Sequence, residues 1–253
     1  MAKVQPLPRR KMNSNEKLTK ELIDFKLNHF EKIDFEYWQG KISRLYNQLQ
    51  RLKDQSKRNR CIIDLYTNYL QMTEILFINI CANFASLEYF PSMLFISNKN
   101  IKQFISDKFS NSTKTSGIFL KSYSIVASKQ DEKTMNLYRN LLMEVSKDYL
   151  ENHELLNAFK HGYRINAKNE KMSLAIGNRK QMFNINETDS SITFFYKKIC
   201  REPFVETICE KTINFNNGRI FVKLLFASSL LENLRSAVLL SMGKKVKAGK
   251  YFY

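Results

Sequence analysis

The sequence predicts a mainly α protein, a helical bundle with a small antiparallel β insert before its last helix. Apolar residues recur at three- and four-residue steps through most of the chain, as one buried helix face requires. Between about residues 172 and 215 that period gives way to short runs of β-branched and aromatic residues separated by turn formers. The 253 residues include only 7 Gly and 4 Pro, with 43% hydrophobic and 13% aromatic residues, so core material is ample and helix breakers are few.

The elements follow in order. Residues 1–12 read as a flexible basic arm, because Pro6 and Pro8 disfavour helix and Arg9, Arg10 and Lys11 cluster beside them. Residues 13–253 read as one domain, with the β insert at about 172–215. The first helix starts near Asn13, Ser14 and Asn15, all capping residues, and carries Leu18, Leu22, Phe25 and His29. A second runs from Phe35 to about Lys57 on Trp38, Ile42, Leu45, Leu49 and Leu52. KDQSKRNR, residues 53–60, reads as a turn or as a helix continuing into the apolar stretch 61–87. Asp64, Asn68, Gln71, Glu74, Asn79 and Asn83 interrupt that stretch, so it is expected to be a buried core helix and not a membrane span.

Pro91 breaks the pattern, and a short helix near Lys99 to Phe109 follows. SNSTKTSG, residues 110–117, reads as a loop. Helix resumes near Asp131 and reaches about Arg164, with a bend expected near Glu151 and Asn152. MSLAIGN, QMFNIN, SITFFYKK and ETICEKTINF then read as strands. Asn216-Asn217-Gly218 signals a turn and cap, and a final helix runs from about Arg219 to Met242.

Charge points to partners. The chain has 41 Lys and Arg against 24 Asp and Glu, a formal net charge of +17, which attracts polyanions. Nucleic acid is the expected partner, RNA more than DNA, with a homodimer or a partner protein left open. The beginning of the sequence carries no apolar secretory core, and Cys61, Cys81, Cys200 and Cys209 lack disulfide or zinc spacing, so a reducing cytoplasm and no metal are expected. Walker A, GxGxxG, GxSxG and HExxH patterns are all missing, so the sequence signals no cofactor.

The stretch LLNAFKHGYRI, residues 155–165, carries the candidate site. At about 100° per residue, His153, Asn157, Lys160, His161 and Arg164 share one arc, with Leu155, Leu156, Phe159 and Tyr163 opposite. A His of near-neutral pKa can move protons, a neighbouring Arg or Lys can hold phosphate, and Asn can orient an oxygen. These are the parts needed for metal-free RNA cleavage through a 2′-hydroxyl. His161 and Arg164 are the candidate catalytic pair, and Asn157, Lys160 and His153 the candidate substrate contacts. The same face can equally be the solvated side of an amphipathic helix.

A helix with such a face, ending in the Asn157-x-x-Lys160-His161-Gly162 run of a mostly helical protein, resembles members of the HEPN superfamily. The resemblance covers about residues 56–164 and the last helix. It implies a helical bundle and RNA-directed action, since many members are RNases of toxin–antitoxin, abortive-infection and other phage-defence systems. Active members carry an R-x4-6-H motif, often starting Arg-Asn, in a dimer cleft. Here Arg139-Asn140 is followed by Glu144, Val145 and Ser146 at the motif His positions, and Arg58-Asn59 also lacks its His. No Arg lies four to six residues before His161 or His153. His161 with Arg164 would be a variant of the motif. The expectation is therefore a metal-independent RNase of a bacterial defence or toxin system or, alternatively, a non-catalytic nucleic-acid-binding or adaptor subunit.

Overall fold

The computed structural model describes residues 14–127, 132–160, 165–168, 172–176, 183–188, 190–201 and 204–246; the expected arm at 1–12 lies outside them. It shows a mainly α bundle with antiparallel strands before the last helix, the architecture expected from the sequence.

Helix α1 (Ser14–Glu31) leads to α2 (Phe35–Arg51), whose N-cap Asp34 accepts from the Tyr37 backbone N–H at 2.9 Å. The helix expected to run on to Lys57 stops at Arg51, and α3 (Gln55–Phe84) starts afresh. Asp54 makes that break, because its carboxylate accepts from the Lys57 N–H at 2.7 Å and caps the new helix. A 3₁₀ turn (Leu87–Tyr89) and the short α4 (Phe90–Met93) follow, with Pro91 tolerated in the first turn where its missing N–H costs nothing.

Helix α5 (Asn98–Lys108) is capped by Ser97. The loop expected at 110–117 is instead the start of α6 (Ser112–Ala127). Asn111 explains the difference: its side chain accepts from the Lys114 N–H at 2.9 Å, and its carbonyl takes the Thr115 hydroxyl at 2.8 Å. Ser, Thr and Asn favour caps as much as loops. Helix α7 (Glu132–Lys160) runs unbroken through Glu151 and Asn152, about 44 Å long.

Five strands follow among the described residues, β1 (Ile165–Lys168), β2 (Met172–Ile176), β3 (Phe183–Thr188), β4 (Ser190–Arg201) and β5 (Phe204–Phe215), so strand pairing begins before the expected 172. They form an antiparallel sheet of order β1-β4-β5 and a separate β2-β3 pair. The β4-β5 register sets Ser190 opposite Phe215 and Arg201 opposite Phe204. Ile192, Phe194, Ile213 and Phe215 lie on the buried face of its base. Phe194 is fully buried.

Helix α8 (Asn217–Ser241), capped by Asn216, closes the bundle against α1, α2, α3, α6 and α7. Among the described residues it is the one helix long and apolar enough to cross a membrane, and 61% of that window is buried within the bundle. Its main partner is α3, where Leu65, Tyr69, Leu70, Met72, Leu76, Phe77 and Ile80 are fully buried. Each such side chain contributes about 1.5–3 kcal/mol. Polar side chains of α3 bond back to its own carbonyls: Asn68 donates to that of Asp64 at 2.6 Å, although its buried Oδ1 finds no partner, and Thr73 donates to that of Tyr69 at 2.8 Å. Asn79 donates to the Ile75 carbonyl and meets His29 Nε2, both at 2.8 Å. The interrupted apolar stretch is thus a buried core helix, as its polar residues led one to expect.

Candidate nucleic-acid interface

The α7 stripe is the natural starting point. His153 is buried. Its Nε2 lies 2.7 Å from Lys102 Nζ on α5, and its Nδ1 lies 3.2 Å from the Leu150 carbonyl. An ammonium can only donate, so Nε2 accepts and Nδ1 carries the proton: the ring is neutral. Burial lowers its pKa, Glu154 Oε1 at 3.3 Å pulls it back up, and the charges of Lys102 and Lys211 push it down, leaving it below 6.5.

Asn157 accepts from Asn98 Nδ2 at 3.3 Å. Lys160 donates to Glu74 Oε2 at 3.0 Å, and the other oxygen of Glu74 accepts from the Tyr149 hydroxyl at 3.2 Å. The three described residues of the stripe thus tie α7 to α5 and α3. His161 and Arg164 lie outside the described residues. Phe159, placed on the apolar side by spacing, is 45% exposed, while Leu155 and Leu156 are buried.

On another side of α7, a cavity of about 920 Å³ opens between α7, β5 and the start of α8. Glu144 and Asp148, one helical turn apart, face Arg219 and Lys223, one turn apart on α8. Lys223 Nζ lies 2.9 Å from Glu144 Oε1 and 2.6 Å from Asp148 Oδ2; Arg219 also donates to Glu144. The Tyr69 hydroxyl donates to Asp148 at 2.7 Å. Burial pushes the Glu144 carboxyl up, but the hydrogen bonds and charges of Lys223 and Arg219 outweigh it and hold the group below 4.5. Burial, with the charge of Asp148, raises Tyr66 and Tyr69 so far that both stay protonated. These charges neutralise one another and dock α8 on α7. Spacing alone did not single them out, though a lysine inside the otherwise apolar IFVKLLF was a visible signal.

The unmatched charge lies elsewhere, on the elbow between α2 and α3. Arg44, Arg51, Lys53, Lys57 and Arg60 are exposed there. Among the described residues no ion pair engages any of them or Lys41. The elbow's acid, Asp54, is occupied as the α3 cap. Burial raises the Asp64 pKa and the charge of Lys41 draws it back. Along the outer face of α2, Tyr37, Gly40, Lys41, Arg44, Asn47, Gln48 and Arg51 fall within an arc of roughly 120°. By sequence this charged run, 53–60, reads as a turn or as a helix continuing into the apolar stretch, and α3 does begin within it at Gln55.

Among the described residues no three His, Cys, Asp or Glu side chains converge as a metal site would need. No protein-family model, curated protein or solved structure matches this chain.

Proposed function

We propose that this is a nucleic-acid-binding protein, with RNA favoured over DNA, acting as a binder or adaptor subunit. The observation that carries the reading is the sorting of charge. Glu74, Glu144, Asp148 and Glu154 face cations at the helix–helix and helix–sheet contacts, while Asp34 and Asp54 cap helices. Among the described residues this leaves a concentration of exposed cations on the α2–α3 elbow, in a chain whose net charge is +17. Such a surface neutralises phosphates and releases their counterions.

The test is binding of labelled RNA and DNA of mixed sequence against salt. With five phosphate contacts on a single strand, affinity should fall about a hundredfold between 50 and 200 mM salt. Salt-independent or undetectable binding would overturn the reading. The catalytic form of the same reading rests on His161 and Arg164. RNA incubated in EDTA with the wild type and with His161→Ala tests it: cleavage by the wild type alone makes the protein a metal-independent RNase, and intact RNA in both removes that assignment.

A further inference from the structure

Deepening the nucleic-acid reading, on which it rests, we infer that the outer face of α2 is a track for single-stranded RNA, with a base stacked on Tyr37. An exposed aromatic ring beside unmatched cations is the pairing that single strands require, since unpaired bases offer their faces and duplex bases do not.

Four observations converge on this face. The Tyr37 ring is 52% exposed although it belongs to a packed helix, so its surface is available for contact. It is held in place nonetheless: Trp38 meets it edge to face at 5.7 Å and 77°. Lys41 Nζ lies 5.2 Å from the Trp38 ring and 6.0 Å from the Tyr37 ring, a cation–π arrangement that fixes the pair. Trp38 itself packs on the core, so the platform is anchored.

Beyond the platform, Arg44 and Arg51 continue the face, and no Asp or Glu occurs between residues 37 and 51. Tyr37 to Arg51 spans about 21 Å of helix, room for several nucleotides. The fourth observation is Gly40. A Cβ there would meet nothing within 4 Å, so the position is open, and glycine weakens a helix interior. The position leaves room for a backbone or base to lie close to the helix. Near the face, Asp34 is occupied as the α2 cap, the charge of Lys41 opposes the rise that burial gives the Asp64 pKa, and Glu36 adjoins Tyr37 in the sequence.

The protein supplies its own probe, because Trp38 is the only tryptophan in the chain. The experiment titrates full-length protein with a labelled oligouridylate, reading anisotropy of the RNA and emission of Trp38 together, and repeats it with duplex RNA of equal length. The expected result is quenching of Trp38 with the same midpoint as the anisotropy rise, and weaker binding of the duplex. Tyr37→Ala should lower oligouridylate affinity roughly tenfold, and Tyr37→Phe should restore it. Arg44→Gln with Arg51→Gln should flatten the salt slope by about 1.4. Lys99→Gln with Lys114→Gln, on exposed cations of α5 and α6, should change neither. An anisotropy rise without any change in Trp38 emission places the RNA elsewhere and overturns this inference while leaving the proposed function standing. Equal affinity for duplex, or for Tyr37→Ala, overturns it in the same way. No anisotropy rise with any RNA overturns both.

Discussion

Lys223 Nζ stands 2.6 Å from Asp148 Oδ2 and 2.9 Å from Glu144 Oε1, so one buried ammonium on α8 holds two carboxylates of α7. Removing one member of a buried charge set leaves the others unmatched in a poor solvent. Lys223→Met should therefore lower stability by about 2–3 kcal/mol, less than for a fully buried pair because the carboxylates are partly wet. Lys147→Ala, on the exposed side of the same cleft, should cost under about 0.5 kcal/mol. Urea denaturation of both variants checks this. Equal midpoints for wild type and Lys223→Met would mean that the clamp contributes nothing.

His153 sets a pH dependence. Its folded pKa is below 6.5, first through burial and then through the charges of Lys102 and Lys211, against the pull of Glu154. The unfolded chain then binds a proton more readily than the folded one, so stability is complete above 6.5 and declines as pH falls below it. Urea midpoints at pH 7.5 and pH 5.5 should diverge more in the wild type than in His153→Gln. An equal change in both would assign the effect to other groups.

Gly40 offers a substitution that separates stability from binding. Gly40→Ala should stabilise α2 by about 0.5–1 kcal/mol, since the added methyl has open space and alanine loses less chain entropy. A fall in thermal midpoint would contradict the open space seen above this residue.

The two sides of α7 near its end should respond differently to truncation. Leu156 is buried, so Leu156→Ala should cost about 2–5 kcal/mol. Phe159 is 45% exposed, and Phe159→Ala should cost about 1 kcal/mol or less. Chemical denaturation of the pair tests this, and the reverse order would place the core on the other face.

Local pattern was enough to locate most helices, because α1, α3, α5 and α7 carry apolar residues at helical spacing and α8 is apolar along its length. It failed where the deciding group was a single hydrogen bond. Asp54 ends one helix and caps another, and Asn111 turns a Ser- and Thr-rich run into the start of α6. The stripe of His153, Asn157 and Lys160 was correctly a single face in angle, but spacing cannot say what lies against it. Lys102, Asn98 and Glu74 are 51, 59 and 86 residues away along the chain. The clamp of Lys223 on Asp148 joins residues 75 apart and was illegible for the same reason. The elbow cations were visible as a run, yet only the fold shows that, among the described residues, no ion pair engages them.

Helix α8 packs against five earlier helices and comes after all of them in the chain. During synthesis, the apolar flank of α3 must therefore wait for most of the polypeptide to emerge before it is covered. Until then the nascent chain presents a long greasy groove, and its missing filler is itself apolar enough to enter a bilayer. Delivery of this protein to its native state is thus a matter of timing, in which a holdase that shields α3 would raise yield without altering the finished fold.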